Sequence, residues 1–166
     1  MINLKDLTIS KLYLGEREVA KVYLSESLVY ENAAPEPVIE GAVKFKSTGV
    51  STIGLASLST NQTLEYTTDG ETWETMTTNT YINIRDKRSV WIRGVLSGNN
   101  TANDYTQFSI TGNVKASGNI NYLWNYSNPT TALRNYCGQR LFYNCAGLTD
   151  VSMLELPATT LADSRP

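Results

Sequence analysis

Glu65, Asp69 and Glu71 stand beside one turn of the sequence, in the stretch TLEYTTDGETWETM. Acidic pairs on either side of a bound sugar are what glycoside hydrolysis requires, one as acid and one as base or nucleophile. Acidic residues next to a hairpin turn are more commonly solvated, and these three are expected to be so. Trp73 follows the turn and Trp91 lies further on; either ring could stack on a sugar, and burial in a core is the expected alternative. Asp69, Trp73 and Trp91 are therefore the candidate ligand surface. The chain contains no histidine, which removes the commonest general base and the commonest neutral metal ligand together. Its two cysteines, Cys137 and Cys145, are too few for a zinc site or for a disulfide framework. No nucleophile motif accompanies them. The expectation is a protein without catalytic, metal or cofactor sites.

The elements that must position these residues read as strands. Thr and Asn are abundant, with 10 Tyr and 11 Gly among the 166 residues. Thr and Tyr suit pleated surfaces, while Asn and Gly suit turns. A net charge of −2 gives no electrostatic reason to expect nucleic acid. No run approaches the roughly 18 apolar residues of a membrane span, and no basic stretch followed by an apolar one opens the sequence as a signal peptide would.

Residues 42–118 show strand signals at regular spacing. AVKFKS alternates, with Val43 and Phe45 on one face and Lys44 and Lys46 on the other. Leu64 and Tyr66 lead into Asp69-Gly70, a favoured hairpin dipeptide, and Trp73 leads out. YINIRD, SVWIRGVL and YTQFSITG follow. Roughly seven short strands in this span fit an immunoglobulin-like β-sandwich. The string from Thr68 to Trp73 also resembles the Asp-box turn of sialidase propeller blades, with a spacing one residue shorter; in that family the turn is a structural device.

The opening of the chain repeats itself. Lys11-Leu-Tyr-Leu-Gly-Glu16 returns as Lys21-Val-Tyr-Leu-Ser-Glu26, and Ser27-Leu-Val-Tyr-Glu31 is a shorter echo. Aliphatic residues alternating with Tyr give the period of a half-buried strand. Gly15-Glu16 and Ser25-Glu26 stand where two-residue turns would fall. The reading is a three-stranded meander over about 8–14, 18–24 and 28–31. So small a sheet cannot support itself, and it presents apolar or aromatic groups on both faces. Residues 32–41 contain Ala-Ala-Pro-Glu-Pro, a semi-rigid spacer. Residues 1–31 are therefore expected to be an attachment segment, with Leu12, Tyr13, Leu14, Val22, Tyr23, Leu24, Val29 and Tyr30 at the contact and a homo-oligomer as the expected assembly.

Residues 119–166 carry a second repeat. Thr130-Thr-Ala-Leu133 is echoed by Thr159-Thr-Leu-Ala162, an offset near 29. Between them stand Cys137, Leu141, Phe142, Cys145 and Leu148, then Leu156-Pro-Ala158. Such spacing suits a single leucine-rich-repeat-like coil with Cys137, Phe142, Cys145 and Leu148 buried. A lone coil cannot bury its own faces, so this segment must cap the sandwich or pack on a partner.

Two resemblances follow from these strings. The doubled KxYL phrase is similar to N-terminal segments of bacteriophage virion proteins. The later string resembles the BspA-type leucine-rich repeat family, with units of the form YCxxxMFxxCxxLTxxxxLPATTLA, and the module before it resembles the domain preceding such repeats in proteins of gut Bacteroides and their crAss-like phages. The resemblance implies a fibre- or decoration-type virion structural protein, assembled in the host cytoplasm, with other virion proteins as partners and a host surface glycan or protein as a possible target. A bacterial surface adhesion module binding glycan or protein is the alternative. The repeat normally runs many times; here Tyr-Cys does not recur at LADSRP, so the stacked recognition surface of the family is largely missing.

Overall fold

The computed structural model of the chain describes residues 36–85, 87–96, 104–129 and 138–157, and the strand backbones of 13–14, 17–18, 21–24, 27–31, 132–133 and 160–161. It is mainly β, with one short helix among the described residues. Two compact units divide it, Met1–Glu36 and Pro37–Pro166.

In the first unit β1 (Tyr13–Leu14) pairs antiparallel with β2 (Arg17–Glu18), and β3 (Lys21–Leu24) with β4 (Ser27–Glu31). The expected turn dipeptides Gly15-Glu16 and Ser25-Glu26 lie between the paired strands. Among the described strands these form two two-stranded ladders, β1-β2 and β3-β4. The pairing of β3 with β4 shifts register between Val22 and Tyr23, skipping Val29. Tyr13, Leu14, Val22, Tyr23, Leu24, Val29 and Tyr30 are strand positions, while Leu12 lies outside the described residues.

The second unit packs two sheets face to face. The larger contains β5 (Val43–Ser47), β7 (Thr63–Thr67), β8 (Glu74–Thr75), β10 (Ser89–Val95), β12 (Val114–Asn119) and β14 (Leu148–Glu155), in the order β14-β12-β5-β10-β7-β8. The smaller contains β6 (Ser51–Ser57), β9 (Tyr81–Ile84) and β11 (Gln107–Thr111), in the order β11-β6-β9. Alternation decides which residues face inward. Val43, Phe45 and Ser47 are buried along β5, Ile82 and Ile84 along β9, and Phe108 and Ile110 along β11. Phe45 and Phe108 meet across the layers with centroids 5.7 Å apart.

Residues beyond 118 join this same core. Helix α1 (Asn121–Trp124) buries Leu123 and Trp124. Residues 138–148 then close one side of the sandwich, bonding to β11 of the smaller sheet and to β12 of the larger. Phe108 N–H donates to Leu141 C=O at 2.9 Å, Gly147 N–H to Ile110 C=O at 3.2 Å, and Val114 N–H to Gly147 C=O at 2.8 Å. A Cβ on Gly147 would stand 2.6 Å from the Thr111 carbonyl carbon and 2.7 Å from Ile110 O, so only glycine fits this close approach. From there β14 lies parallel on β12, with Val114 opposite Leu148 and Asn119 opposite Glu155. Further along, β13 (Ala132–Leu133) and β15 (Thr160–Leu161) also pair parallel.

Candidate functional site

The turn between β7 and β8 is built by two side chains. Thr67 is buried at the end of β7, and its hydroxyl donates to Asp69 Oδ1 at 2.8 Å while accepting from Gly70 N–H at 2.9 Å. Asp69 Oδ1 also accepts from the N–H groups of Thr72 and Glu71, both at 2.9 Å. This is an Asx turn closed by a threonine, and Gly70 at φ +84° supplies the left-handed residue it needs. The N–H of Thr72, then that of Glu71, then the Thr67 hydroxyl hold the Asp69 carboxyl below its ordinary range. A general acid needs the opposite, a carboxyl whose proton is retained. The arrangement commits Asp69 to shaping the turn.

The turn in turn delivers Trp73 to the outer face of the larger sheet. There the Arg93 guanidinium lies between two rings, 3.7 Å from the Trp73 centroid and 4.3 Å from that of Tyr126. Its Nε and Nη2 both reach Glu65 Oε2 at 3.0 Å. Glu65 and Arg93 are directly opposed on β7 and β10, so the ladder itself sets this pair. Stacking on the rings and pairing with the carboxylate use the planar fork and the flat face of the guanidinium at once. Tyr126 follows α1, and its N–H donates to Gly94 C=O at 3.1 Å, which fixes the second ring. The cluster ties three stretches of chain to one cation, at 25 % and 32 % exposure of the Arg93 and Glu65 side chains.

Trp91 stands two residues before Arg93 on the same strand, yet it is buried, with the Lys44 ammonium 5.4 Å from its ring centroid. Of the three residues expected at a ligand surface, Asp69 and Trp73 thus come together on one turn, Asp69 exposed and Trp73 half-buried, while Trp91 is packed away. Sequence reasoning missed Arg93 and Tyr126. The signal for Arg93 was its place on the polar phase of SVWIRGV, opposite a strand carrying Glu65.

The repeat-core residues sort differently from expectation. Cys145 is buried, with its thiol donating to Phe108 C=O at 3.1 Å, and burial pushes that thiol's pKa up. Phe142 and Leu148 are half-buried against the core, and Phe142 stacks on Phe108 at 5.6 Å. Leu141, the neighbour of Phe142, is the fully inserted residue. Cys137 lies outside the described residues. Beyond this core, Tyr143, Val151, Met153 and Leu156 are exposed. Val151 and Met153 lie on β14, the border of the larger sheet, where Asp150 Oδ1 accepts from both the N–H and the hydroxyl of Ser152. Among the described residues no group of three Cys, Asp or Glu side chains is placed to hold a metal ion.

Comparison with family models, with curated proteins and with solved structures finds no match for this chain.

Proposed function

We propose that the chain is a non-enzymatic structural protein of a bacteriophage virion, a head-fibre, tail-fibre or capsid-decorating component anchored through its N-terminal segment. The observation that carries this reading is the division of the chain. A small unit of paired strands, Met1–Glu36, is set apart from Pro37–Pro166 at Pro35-Glu36-Pro37. Isolated two-stranded hairpins are marginal in water and gain stability by packing on something else. A separate small unit of paired strands suits a plug for another protein, and its sequence carries Tyr13, Tyr23 and Tyr30, a residue type suited to part-apolar, part-hydrogen-bonded contacts. Several copies per particle are part of the proposal.

The parallel pairing of β14 on β12 and of β15 on β13 supports the single leucine-rich-repeat-like coil expected over residues 119–166. In the second pair Ala132 faces Thr160 and Leu133 faces Leu161, an offset of 28 set beside the offset near 29 of the repeated string. The exposed Val151, Met153 and Leu156 are then the side on which a further coil or a neighbouring subunit would stack. The two layers and the span of the sandwich support an immunoglobulin-like reading. Its strand order is its own: apart from the β7–β8 pair, the strands from β5 to β12 are drawn from the two sheets in alternation.

Replacing Tyr23 and Leu24 by Asp tests the anchor. Incorporation into particles, measured by mass spectrometry of the purified virions, is expected to be lost while circular dichroism of Pro37–Pro166 signals stays unchanged. Normal incorporation of the doubly substituted chain, or absence of the parent chain from particles, would overturn the proposal.

A further inference from the structure

Asp69-Gly70 is the only Asp-Gly pair in the sequence, and it sits on an exposed turn. Among Asp-X pairs, Asp-Gly is the most prone to rearrange, because glycine leaves its own amide nitrogen unobstructed. In that reaction the Gly70 nitrogen attacks Asp69 Cγ and loses its proton, and one carboxyl oxygen leaves as water. A cyclic imide results. Water then opens either carbonyl of the imide, returning aspartate or giving isoaspartate, in which the backbone runs through the side-chain carboxyl. Water lost is water regained, so no mass changes and no co-reactant is needed.

We propose that Asp69-Gly70 is a guarded isoaspartate site, kept unreacted by Thr67 while the β7–β8 turn is closed and open to rearrangement when the turn opens. Both reacting groups are engaged in the folded chain. The nitrogen's N–H donates to Thr67 Oγ1 at 2.9 Å, so the nucleophile is held on the hydroxyl. The carboxylate is drawn forward along the chain by the N–H groups of Glu71 and Thr72, and the same hydroxyl donates to it. One buried side chain therefore contacts both partners of the reaction and keeps them apart. The lowered pKa of Asp69 works in the same direction, since an ionised carboxylate is a poor electrophile.

The rearrangement carries a structural consequence beyond its own bond. Isoaspartate adds a methylene to the backbone and removes the carboxylate position that gathers the N–H groups of Glu71 and Thr72. The turn that delivers Trp73 to Arg93 would lose its shape. Modification of one residue would thus unstack one ring of the Trp73–Arg93–Tyr126 cluster, making the outer face of the sheet sensitive to the age of the chain.

Incubation of the full chain at neutral pH and mild warmth tests this, folded and in urea. Isoaspartate at residue 69 is read by loss of cleavage by an endoproteinase that cuts before Asp and not before isoaspartate. The folded parent should react at least several-fold more slowly than the unfolded chain. Thr67→Val should accelerate the folded protein toward the unfolded rate, with the fold checked by circular dichroism, and Thr67→Ser should restore the parental rate. Equal rates for the folded and unfolded parent would overturn the proposal without reference to any variant. So would a folded Thr67→Val protein reacting at the parental rate.

Discussion

Gly147→Ala is the sharpest probe of how the C-terminal stretch is held. The added methyl would lie 2.6–2.7 Å from Thr111 C, Ile110 O and Thr111 Cα, all backbone atoms of β11 that cannot rotate away. The segment must lift, and the bonds from Gly147 N–H to Ile110 C=O and from Val114 N–H to Gly147 C=O lengthen with it. Overpacking of this kind costs about 1–3 kcal/mol. Each weakened backbone hydrogen bond adds some fraction of about 0.5–1.5 kcal/mol. A loss of about 2–4 kcal/mol is expected, a large share of the roughly 5–15 kcal/mol that holds a domain. For a unit of this size that lowers Tm by roughly 5–15 °C. Gly49→Ala is the matched control, because nothing lies within 4 Å of a Cβ there. Thermal unfolding followed by circular dichroism reads both. If the two variants melt together within a degree or so of the parent, residues 138–148 do not pack as described and the closure of the sandwich is wrong.

Leu141→Ala removes a residue that is 3 % exposed beneath β11 and should cost about 2–5 kcal/mol, measured by urea unfolding with an unchanged slope. Arg93→Met keeps much of the stem but loses the guanidinium; about 1–2 kcal/mol is expected from two part-exposed ring contacts and one part-exposed ion pair, with a shift in Trp fluorescence as Trp73 is uncovered. Asp150 is held down to about 2 by the Ser152 N–H, the Ser152 hydroxyl and the Lys115 ammonium. A depressed carboxylate contributes stability that is complete above its ordinary value of 3.8 and is lost as pH falls toward about 2. Asp150→Asn should accordingly flatten the decline of stability in that window, and a carboxyl resonance titrating at the ordinary value would refute it.

Local signals were readable wherever one residue's environment is set by its immediate neighbours. The alternation in AVKFKS placed Val43 and Phe45 inward, and Asp69-Gly70 placed the hairpin whose strands pair Tyr66 with Glu74. Sheet membership was not readable, because it depends on partners far along the chain. Nothing in VKASGN announces a parallel neighbour thirty-odd residues later, and the register shifts within that pairing erase any simple period. The same holds for Arg93, whose rings come from a turn on one side and a helix end on the other. Leu141 and Phe142 show the limit most closely. A repeat pattern names both as apolar, but which one enters the core is decided by the backbone path through 138–148.

The alternation of successive strands between the two sheets also bears on how the molecule comes to be folded. Sheet neighbours are distant in the chain: Lys46 faces Ser89, Ile53 faces Ile110, and Phe45 faces Ala116. Within Pro37–Pro166 the β7–β8 pair is the one ladder among the described strands that joins consecutive strands. Almost every other pairing must close a long loop before it returns any stabilisation, and folds of that kind form on the order of milliseconds to seconds. During synthesis β5 and β6 must wait for β10, β11 and β12 before either sheet can be completed. The sandwich therefore assembles late and nearly all at once, with the Asp69 turn as the local structure available to begin it.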